Sequence, residues 1–447
     1  MMRQRKDHPT LPDLPSFTVE ADAPVDDDAI RERHAGTGLA RHDAPLSEGL
    51  IDPDAAKVVR RLERSGFEAY LVGGCVRDLL LGGKPKDFDV ATSARPEDVR
   101  GLFRNCRVIG RRFRLAHILF GGGKVIEVAT FRRSPQTDVV EDETPELEDL
   151  LIRSDNVFGE AHEDALRRDF TINALFYDLD RKQVLDWCGG MEDIRRRTIH
   201  TIGDPAVRFR EDPVRILRAI KFAARLDLGI AADVYDAMVI HREALAKAAR
   251  PRLFEEVLRL LRGGAAHRSM WLLWEVGAMS LLIPELSAYI DDDEATDGGG
   301  ERFWRRMDAI DQRTKELGAP LSDIVLFTTL LREPLDEACA GAADPAAAAD
   351  EFLEPIIERI AMPRRIADAI RRIVIMQPRL AQGRVGRLAR SELIGAAIDV
   401  LEIDRIAAGK STAGLKEMRA AVPAVEPAPA RGNGAGPRRR GPRRTPR

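Results

Sequence analysis

The feature that most constrains this chain is a glycine turn followed closely by two aspartates, between residues 71 and 90. The sequence Leu71-Val-Gly-Gly-Cys-Val-Arg-Asp78 predicts a strand end, a turn and the start of a helix, and Lys86-Asp-Phe-Asp-Val90 predicts a strand. Residues two apart in a strand share a face, so Asp87 and Asp89 should point the same way. Two carboxylates at this spacing suit Mg²⁺, which prefers oxygen ligands and is usually shared with substrate phosphates.

The turn at Gly73 and Gly74 supplies a second half of the predicted site. Glycine lets the backbone approach a phosphate closely, and the following helix offers free amides and a positive dipole end to an anion. Arg77, in the first turn of that helix, can add a guanidinium group. A glycine pair alone is usually only a turn, and an Asp-x-Asp alone is often surface decoration. Together they predict one site for phosphate and a divalent cation.

Composition excludes several classes of protein. The chain has 447 residues, of which 44% are hydrophobic, and a net charge of −3, so it is not a uniformly basic nucleic-acid binder. Its four cysteines form no Cys-x-x-Cys pair, which argues against a zinc module and a disulfide framework. No signal peptide is visible, and no uncharged apolar run approaches 18 residues. We expect a soluble, cytoplasmic protein without a membrane partner.

Periodicity and composition divide the chain into five predicted parts. The fold class is α+β, because strand-like patterns are confined to an N-terminal mixed sheet and the rest is helical. The last part is rich in arginine and has no acidic residue from Arg431 to Arg447, as is typical of a disordered arm that binds nucleic acid or acidic partners. The predicted parts are a disordered tail (1–50), a catalytic head (51–178), a helical neck (179–262), a helical body (263–422) and the Arg-rich arm (423–447).

A third carboxylate is predicted near the aspartate pair. In Lys124-Val-Ile-Glu-Val-Ala-Thr130, alternation places Glu127 on one face of an otherwise apolar strand. Burying an unpaired charge is costly, so Glu127 should meet a cation. A neighbouring strand carrying Asp87 and Asp89 would supply it through a metal ion. A salt bridge to a nearby arginine is the alternative.

The segment that follows residue 160 places two arginines beside an aspartate. Arg167, Arg168 and Asp169 lie between a predicted helix at 163–168 and a buried run at 171–177. They could form a simple ion-pair cluster. They would equally suit gripping a triphosphate.

A helix predicted after residue 212 carries one acidic and two basic side chains on one side. Asp212 before Pro213 predicts a helix start, with a capping side chain and then proline. Asp212, Arg215 and Arg218 would fall within one third of the helix circumference. Such a set offers an acceptor and donors for a base edge. The alternative is a plain ion pair between residues three apart.

Further along, the many arginines of 363–390 predict either a charged outer face or a surface that follows the phosphates of a nucleic acid.

Five motifs, taken in order, resemble those of the bacterial class II nucleotidyltransferases, which comprise the CCA-adding tRNA enzymes and the bacterial poly(A) polymerases. The resemblance covers about residues 54–285. Within the group, the segment 105–117 with its Arg111-Arg-Phe-Arg114 and the basic arm are similar to the poly(A) polymerase branch. The motifs are Leu71-Val-Gly-Gly-x-Val-Arg-Asp78, Lys86-Asp-Phe-Asp89, Ile126-Glu-Val-Ala-Thr-Phe-Arg132, Arg167-Arg-Asp-Phe-Thr-Ile-Asn-Ala174 and Glu211-Asp-Pro-x-Arg-x-Leu-Arg218.

The resemblance implies a fold, a reaction and a set of site residues. The fold would be a mixed-sheet nucleotidyltransferase head followed by an all-helical neck, body and tail. The reaction would add AMP from ATP to RNA 3′ ends without a template, with RNA-decay proteins as partners. The alternative is CCA addition to tRNA. The implied roles are Asp87, Asp89 and Asp169 in catalysis, Asp87 and Asp89 on two Mg²⁺ ions with Glu127 as our third candidate ligand, and Gly73, Gly74, Arg77, Arg168, Asp212, Arg215 and Arg218 on the nucleotide.

Overall fold

The computed structural model describes residues 38–44, 46, 48–110, 114–133, 157–292 and 296–420. The predicted Arg-rich arm, most of the predicted tail, the acidic stretch of 134–156 and Arg111-Arg-Phe113 lie outside these residues.

The N-terminal part is built around one mixed sheet. Its strand order is β1-β8-β7-β2-β3-β6-β5-β4, in which β3 and β6 run parallel and the other neighbours run antiparallel. The eight strands are β1 (Ala40–Asp43), β2 (Ala69–Val72), β3 (Asp89–Thr92), β4 (Cys106–Ile109), β5 (Leu115–Leu119), β6 (Val125–Thr130), β7 (Phe176–Asp178) and β8 (Gln183–Asp186). A separate parallel pair joins β9 (Thr198–Ile199) and β10 (Gly229–Ile230).

Helices alternate with the strands along the N-terminal part of the chain and make up most of the described chain after it. Those up to residue 241 are α1 (Pro53–Arg64), α2 (Gly74–Leu80), α3 (Pro96–Leu102), α4 (Ala161–Leu166), α5 (Gly190–Arg196), α6 (Pro205–Glu211), α7 (Val214–Leu226) and α8 (Ala232–His241). Those that follow are α9 (Arg250–Arg262), α10 (Ala266–Glu275), α11 (Met279–Leu282), α12 (Pro284–Asp291), α13 (Gly299–Leu317), α14 (Asp323–Leu330), α15 (Arg332–Cys339), α16 (Pro345–Ile360), α17 (Arg364–Ala381), α18 (Ile394–Ala407) and α19 (Leu415–Ala420). The predicted α+β class, with a mixed sheet before a helical remainder, is confirmed.

The two faces of the sheet meet different cores. Leu71, Val90 and Val128 face a large core that begins with α1 and continues through the helical part as far as α19. Val72 and Ala91 face a second, smaller core that includes α4 and aromatic side chains of the head. Side chains alternate across a strand, so Asp89 and Glu127 point to the face of the smaller core.

The structure corrects the predicted boundaries of the first elements. Strand β3 begins at Asp89, so Asp87 lies before the strand and not within it. The predicted tail of 1–50 contains a strand, because β1 pairs with β8 through Ala40 and Asp186. This edge strand is largely exposed and lacks the apolar alternation that would reveal it in the sequence.

The boundary predicted at residue 178 divides the sheet. Strand β8 follows that residue and pairs with both β7 and β1, so the sheet extends through Asp186. The predicted neck is also not entirely helical, since it contains β9 and β10. Among the described residues, no helix is both long and apolar enough to cross a membrane.

We predict that Gly190→Ala lowers the free energy of unfolding by about 2 kcal/mol. A Cβ atom at Gly190 would clash with the carbonyl oxygen of Thr171, a backbone atom that can move only if the surrounding turn moves with it. Urea unfolding followed by circular dichroism measures the change. The matched control is Gly101→Ala, in helix α3 with open space around it, which should not destabilise the chain. Equal losses in both variants would contradict this account.

Candidate active site

The parallel pairing of β3 and β6 places Asp89 directly beside Glu127. The predicted neighbourhood of the two carboxylates is therefore confirmed, but the reason given for it was wrong. Glu127 is not buried, because 49% of its side chain is exposed. Among the described residues its partner is a histidine and not an arginine: the Nε2 atom of His117, on the adjacent strand β5, lies 3.4 Å from a Glu127 oxygen. Asp87 is also exposed.

Negative charge is crowded around Asp89. Its pKa is raised to about 6, first by desolvation from the surrounding protein and then by repulsion from Glu127 and Asp87, while Arg168 opposes the shift. Solvent still reaches the carboxylate from the open cleft. A divalent cation would relieve this repulsion, so the donor set fits Mg²⁺.

The three carboxylates do not converge on a single point. Within the described ranges, no three His, Cys, Asp or Glu side chains form a group that could hold a metal ion by themselves. A cation at Asp89 would therefore need further oxygen ligands, which Mg²⁺ commonly takes from water and substrate phosphates.

The glycine turn lies at the start of α2, as predicted, but its amides are not all available. Gly73 has a φ of 71°, and a Cβ atom there would lie 3.0 Å from Nη1 of Arg168. Only glycine suits this combination of positive φ and close approach. The Gly73 N–H group donates to the Leu175 carbonyl at 3.2 Å, so it does not face an incoming phosphate.

Arg77 and Arg168 meet at one asparagine that the sequence did not single out. Arg77 is buried and donates from Nη1 to Oδ1 of Asn173 at 2.6 Å. Arg168 donates to the backbone carbonyl of Asn173 at 3.1 Å and pairs with Asp164 at 2.9 Å. In the sequence, the feature that could have identified Asn173 is a single amide side chain in an otherwise mostly apolar run. These contacts fix both guanidinium groups in place.

Asp169 is engaged by protein donors on both oxygens. Its Oδ1 accepts from the Phe170 N–H at 2.9 Å and from Asn173 Nδ2 at 3.0 Å. Its Oδ2 accepts from Nε of Arg218 at 2.7 Å. The carboxylate is buried, yet Arg218 and these hydrogen bonds hold its pKa well below the usual range. Asp169 thus links the segment after α4 to helix α7.

A helix starts close to the predicted position, because α7 begins at Val214, but the predicted capping role of the Asp212 side chain is wrong. Helix α6 ends at Glu211, and Asp212 is the residue after its end, with a φ of −147°. Its side chain caps no helix and instead accepts two hydrogen bonds from Arg252 of α9, at 3.0 and 2.8 Å. Arg215 is buried and donates to Glu211 at 2.8 Å and to the Arg208 carbonyl at 2.9 Å. Asp212 and Arg215 are thus bound to different partners, and no ion pair between the two is found in the described part of the chain.

One cavity of about 530 Å³ nevertheless brings most of the predicted residues together. Asp87 and Glu127 are outside its lining, and sequence reasoning missed three of its residues. The lining consists of the predicted Gly73, Gly74, Arg77, Asp89, Arg167, Arg168, Asp169, Asp212, Arg215 and Arg218, together with the missed Asn173, Phe222 and Arg252. A larger cavity of about 660 Å³ in the head, lined by Tyr70, Trp187 and others, contains none of the predicted site residues.

Phe222, which lines this cavity, makes cation–π contacts with three basic side chains. Its ring lies under the guanidinium groups of Arg77 and Arg218, at 4.9 and 5.5 Å, and under the Lys221 ammonium group at 4.7 Å. Burial and the neighbouring Arg218 lower the pKa of Lys221 to about 8. The cavity wall formed by α7 is therefore strongly cationic and faces the carboxylates of the sheet.

The arginine-rich stretch of 363–390 is only partly paired. Arg364, Arg371 and Arg372 pair with acidic side chains at 2.8, 3.1 and 3.2 Å, as expected for a charged outer face. The remaining arginines of the stretch make no ion pair with a described residue, so the surface that follows phosphates stays open as the alternative. Arg114 pairs with Glu97 at 2.5 Å.

Comparison with known proteins gives matches to three family models. The Poly A polymerase head domain matches residues 69–200, the probable RNA and SrmB-binding site of polymerase A matches 227–290, and the polymerase A arginine-rich C-terminus matches 341–445.

Curated relatives and solved structures point in the same direction. Poly(A) polymerase I of Escherichia coli O6:H1 is 38% identical over 383 residues, covering 82% of this chain and 81% of the relative. That of Haemophilus influenzae is 39% identical, covering 73% and 74%. The CCA-adding enzyme of Geobacillus stearothermophilus is 38% identical but covers 51% and 54%. The structure of the Bacillus stearothermophilus CCA-adding enzyme in complex with CTP is similar with a TM-score of 0.60, at 26% identity and 82% coverage of both chains.

We predict that Asp169→Asn destabilises the chain by about 2 kcal/mol at pH 7, because Arg218 would lose its charged partner. The folded-state pKa of Asp169 is depressed, so its stabilisation is present above the unfolded pKa of about 3.9 and is lost as the pH falls below it. The deficit of the variant should therefore shrink between pH 5 and pH 3 in urea unfolding.

The matched control is Asp180→Asn, at an exposed turn residue, which should have little effect at either pH. A deficit of Asp169→Asn that stays constant down to pH 3 would contradict the ion pair.

Proposed function

The chain belongs to the poly(A) polymerase family, and from this premise we propose how its residues transfer AMP from ATP to RNA 3′ ends. The match to poly(A) polymerase I covers most of both chains, whereas the match to CCA-adding enzymes covers about half. The chain is a polynucleotide adenylyltransferase, and its fold is a nucleotidyltransferase head followed by a helical remainder.

ATP would occupy the cavity between the sheet and α7. We assign the triphosphate to Gly74, Arg77 and Arg168, because these residues line one wall and the two guanidinium groups are already fixed by Asn173. Fixed donors stabilise charge without reorganising at the moment of reaction. Gly73 allows this close approach of Arg168, while its own N–H group donates to the Leu175 carbonyl and not to the phosphate.

The base would lie against the α7 side of the same cavity. Arg215 and Arg218 line it, and Asp212 is held there by Arg252. Arg215 and Arg218 are themselves anchored to acidic side chains, so few rearrangements are open to them. We propose that this rigid wall favours adenine.

Asp87, Asp89 and Glu127 would hold Mg²⁺. The support is the crowding that raises the pKa of Asp89, together with the preference of Mg²⁺ for oxygen ligands. When bound, the metal would favour ionisation of the RNA 3′-hydroxyl and neutralise charge on the leaving pyrophosphate. The protein itself positions the reactants for in-line displacement.

Asp169 has a different role in this proposal. Both of its oxygens are occupied by protein donors, so it is a positioning residue that holds Arg218 and Asn173. The resemblance had suggested a catalytic role for it. We also propose that RNA-decay proteins are partners and that the enzyme acts in the cytoplasm.

Extension of two labelled RNAs with Mg²⁺ and one nucleotide at a time tests the function. On a generic single strand, ATP should give a long ladder and CTP should not. Asp89→Ala should reduce the rate by at least about 10³-fold, because a metal ligand is lost. Two CTP additions and one ATP addition, confined to a tRNA lacking its last three nucleotides, would contradict the proposal.

We further predict that Arg252→Ala relaxes nucleotide selection. Without its bidentate partner, Asp212 could accept a hydrogen bond from the exocyclic amine of either adenine or cytosine. The ratio of kcat/KM for ATP to that for CTP should fall about tenfold. Arg250→Ala, an exposed arginine on the same helix, is the matched control and should leave the ratio unchanged. An unchanged ratio in Arg252→Ala would exclude this role of the Asp212–Arg252 pair.

A further inference from the structure

A row of polar side chains crosses four strands of the sheet, starting at the predicted metal ligands. Asp89 is paired in register with Glu127, Glu127 with His117, and His117 with Arg107 of β4. Residues directly opposite each other in neighbouring strands lie on one face. The row therefore leads from the carboxylates toward the outer edge strand.

The described residues leave the part of this face formed by β4, β5 and β6 uncovered. The smaller core covers the same face through side chains of β2, β3, β7 and β8, and receives none from β4, β5 or β6. On β6 and β4, Val125 is 38% exposed and Ile109 is 49% exposed, on either side of the polar row. Two apolar stripes thus border the polar row, on a face that no described helix covers.

Arg107 is available at the far end of the row. Its side chain is exposed, and it makes no hydrogen bond or ion pair with any residue that the structure describes. By contrast, Arg114 and most arginines around the cavity are tied to acidic partners. A guanidinium group that has no partner among the described residues, on the same face as a carboxylate site, is suited to an anionic chain that approaches that site.

The direction of the row agrees with the demands of phosphoryl transfer. The cavity assigned to the triphosphate lies on the β2 side of Asp89, with Gly74 and Arg168. The attacking and leaving oxygens are roughly in line on opposite sides of the phosphorus. The RNA 3′ end must therefore come from the other side of Asp89, which is the side of β6, β5 and β4.

We propose that this face is the binding subsite for the 3′-terminal segment of the RNA, with Arg107 binding one of its backbone phosphates. The inference rests on the proposed role of Asp89. Three strand spacings separate Arg107 from Asp89, about 14 Å, which corresponds to roughly two to four nucleotides. His117 lines the path between them, and the exposed apolar stripes offer contact area to the bases.

Steady-state kinetics on the full chain, with a generic RNA primer and ATP, test the role of Arg107. Arg107→Ala should raise the KM for RNA about tenfold and leave the KM for ATP unchanged, because one charge-assisted contact is lost. The matched control is Arg60→Ala, an exposed arginine on α1, which covers the opposite face of the sheet. It removes the same charge and should leave both KM values unchanged.

A neutral linkage in the RNA locates the contact. A methylphosphonate is placed at each of the last four internucleotide positions in turn. One position should raise the KM for RNA about tenfold with the unmutated chain and have no further effect with Arg107→Ala, as expected when both changes remove one interaction.

Three results would overturn the subsite. The first is an unchanged KM for RNA in Arg107→Ala. The second is that, at all four linkage positions, the increase in KM caused by the methylphosphonate multiplies with the increase caused by Arg107→Ala. The third is a rise in the KM for ATP equal to the rise in the KM for RNA. Failure of the proposed function is a separate outcome. It would be seen with the unmutated chain, as the absence of an ATP ladder.

Discussion

The ion pair between Asp169 and Arg218 holds the candidate site together. Asp169 follows the head helix α4, and Arg218 lies on α7 of the helical part, so their contact at 2.7 Å joins the two walls of the cavity. Arg208 adds a second link by donating to the Arg167 carbonyl at 3.1 Å. A buried carboxylate is stable only with such partners. Its low pKa is the signature of that constraint.

The site separates negative from positive charge across one cleft. On the sheet side, Asp89 and Glu127 are neighbours because β3 and β6 run parallel in register. On the other side, Arg77, Arg168 and Arg218 are each fixed by an acid or an amide. The carboxylates gain by binding a cation, and the arginines gain by binding phosphates. The two ligands of the proposed reaction, metal and triphosphate, would therefore stabilise each other's binding.

Local sequence patterns predicted those parts of the site that depend on alternation or on a turn. The period of two in β6 gave the face on which Glu127 lies, and the glycine pair predicted the turn before α2, whereas the place of Glu127 beside Asp89 follows from the parallel pairing of β3 and β6. Sequence patterns gave wrong predictions where a residue distant in the sequence determines the contacts of a side chain or the pairing of a strand. Asp212 looked like a helix cap, but α6 runs up to the residue before it and Arg252, forty residues away, binds its carboxylate. Strand β1 was missed for the same reason, since only β8 gives it a partner.

A crystal structure of the chain with a non-hydrolysable ATP analogue and Mn²⁺ would test the central claim most directly. The account predicts an anomalous manganese peak beside Asp89, with the phosphates against Gly74 and Arg168 and the base against α7. The larger cavity at Tyr70 and Trp187 should hold no nucleotide. A nucleotide in that larger cavity, or manganese away from Asp89, would contradict the assignment of the site.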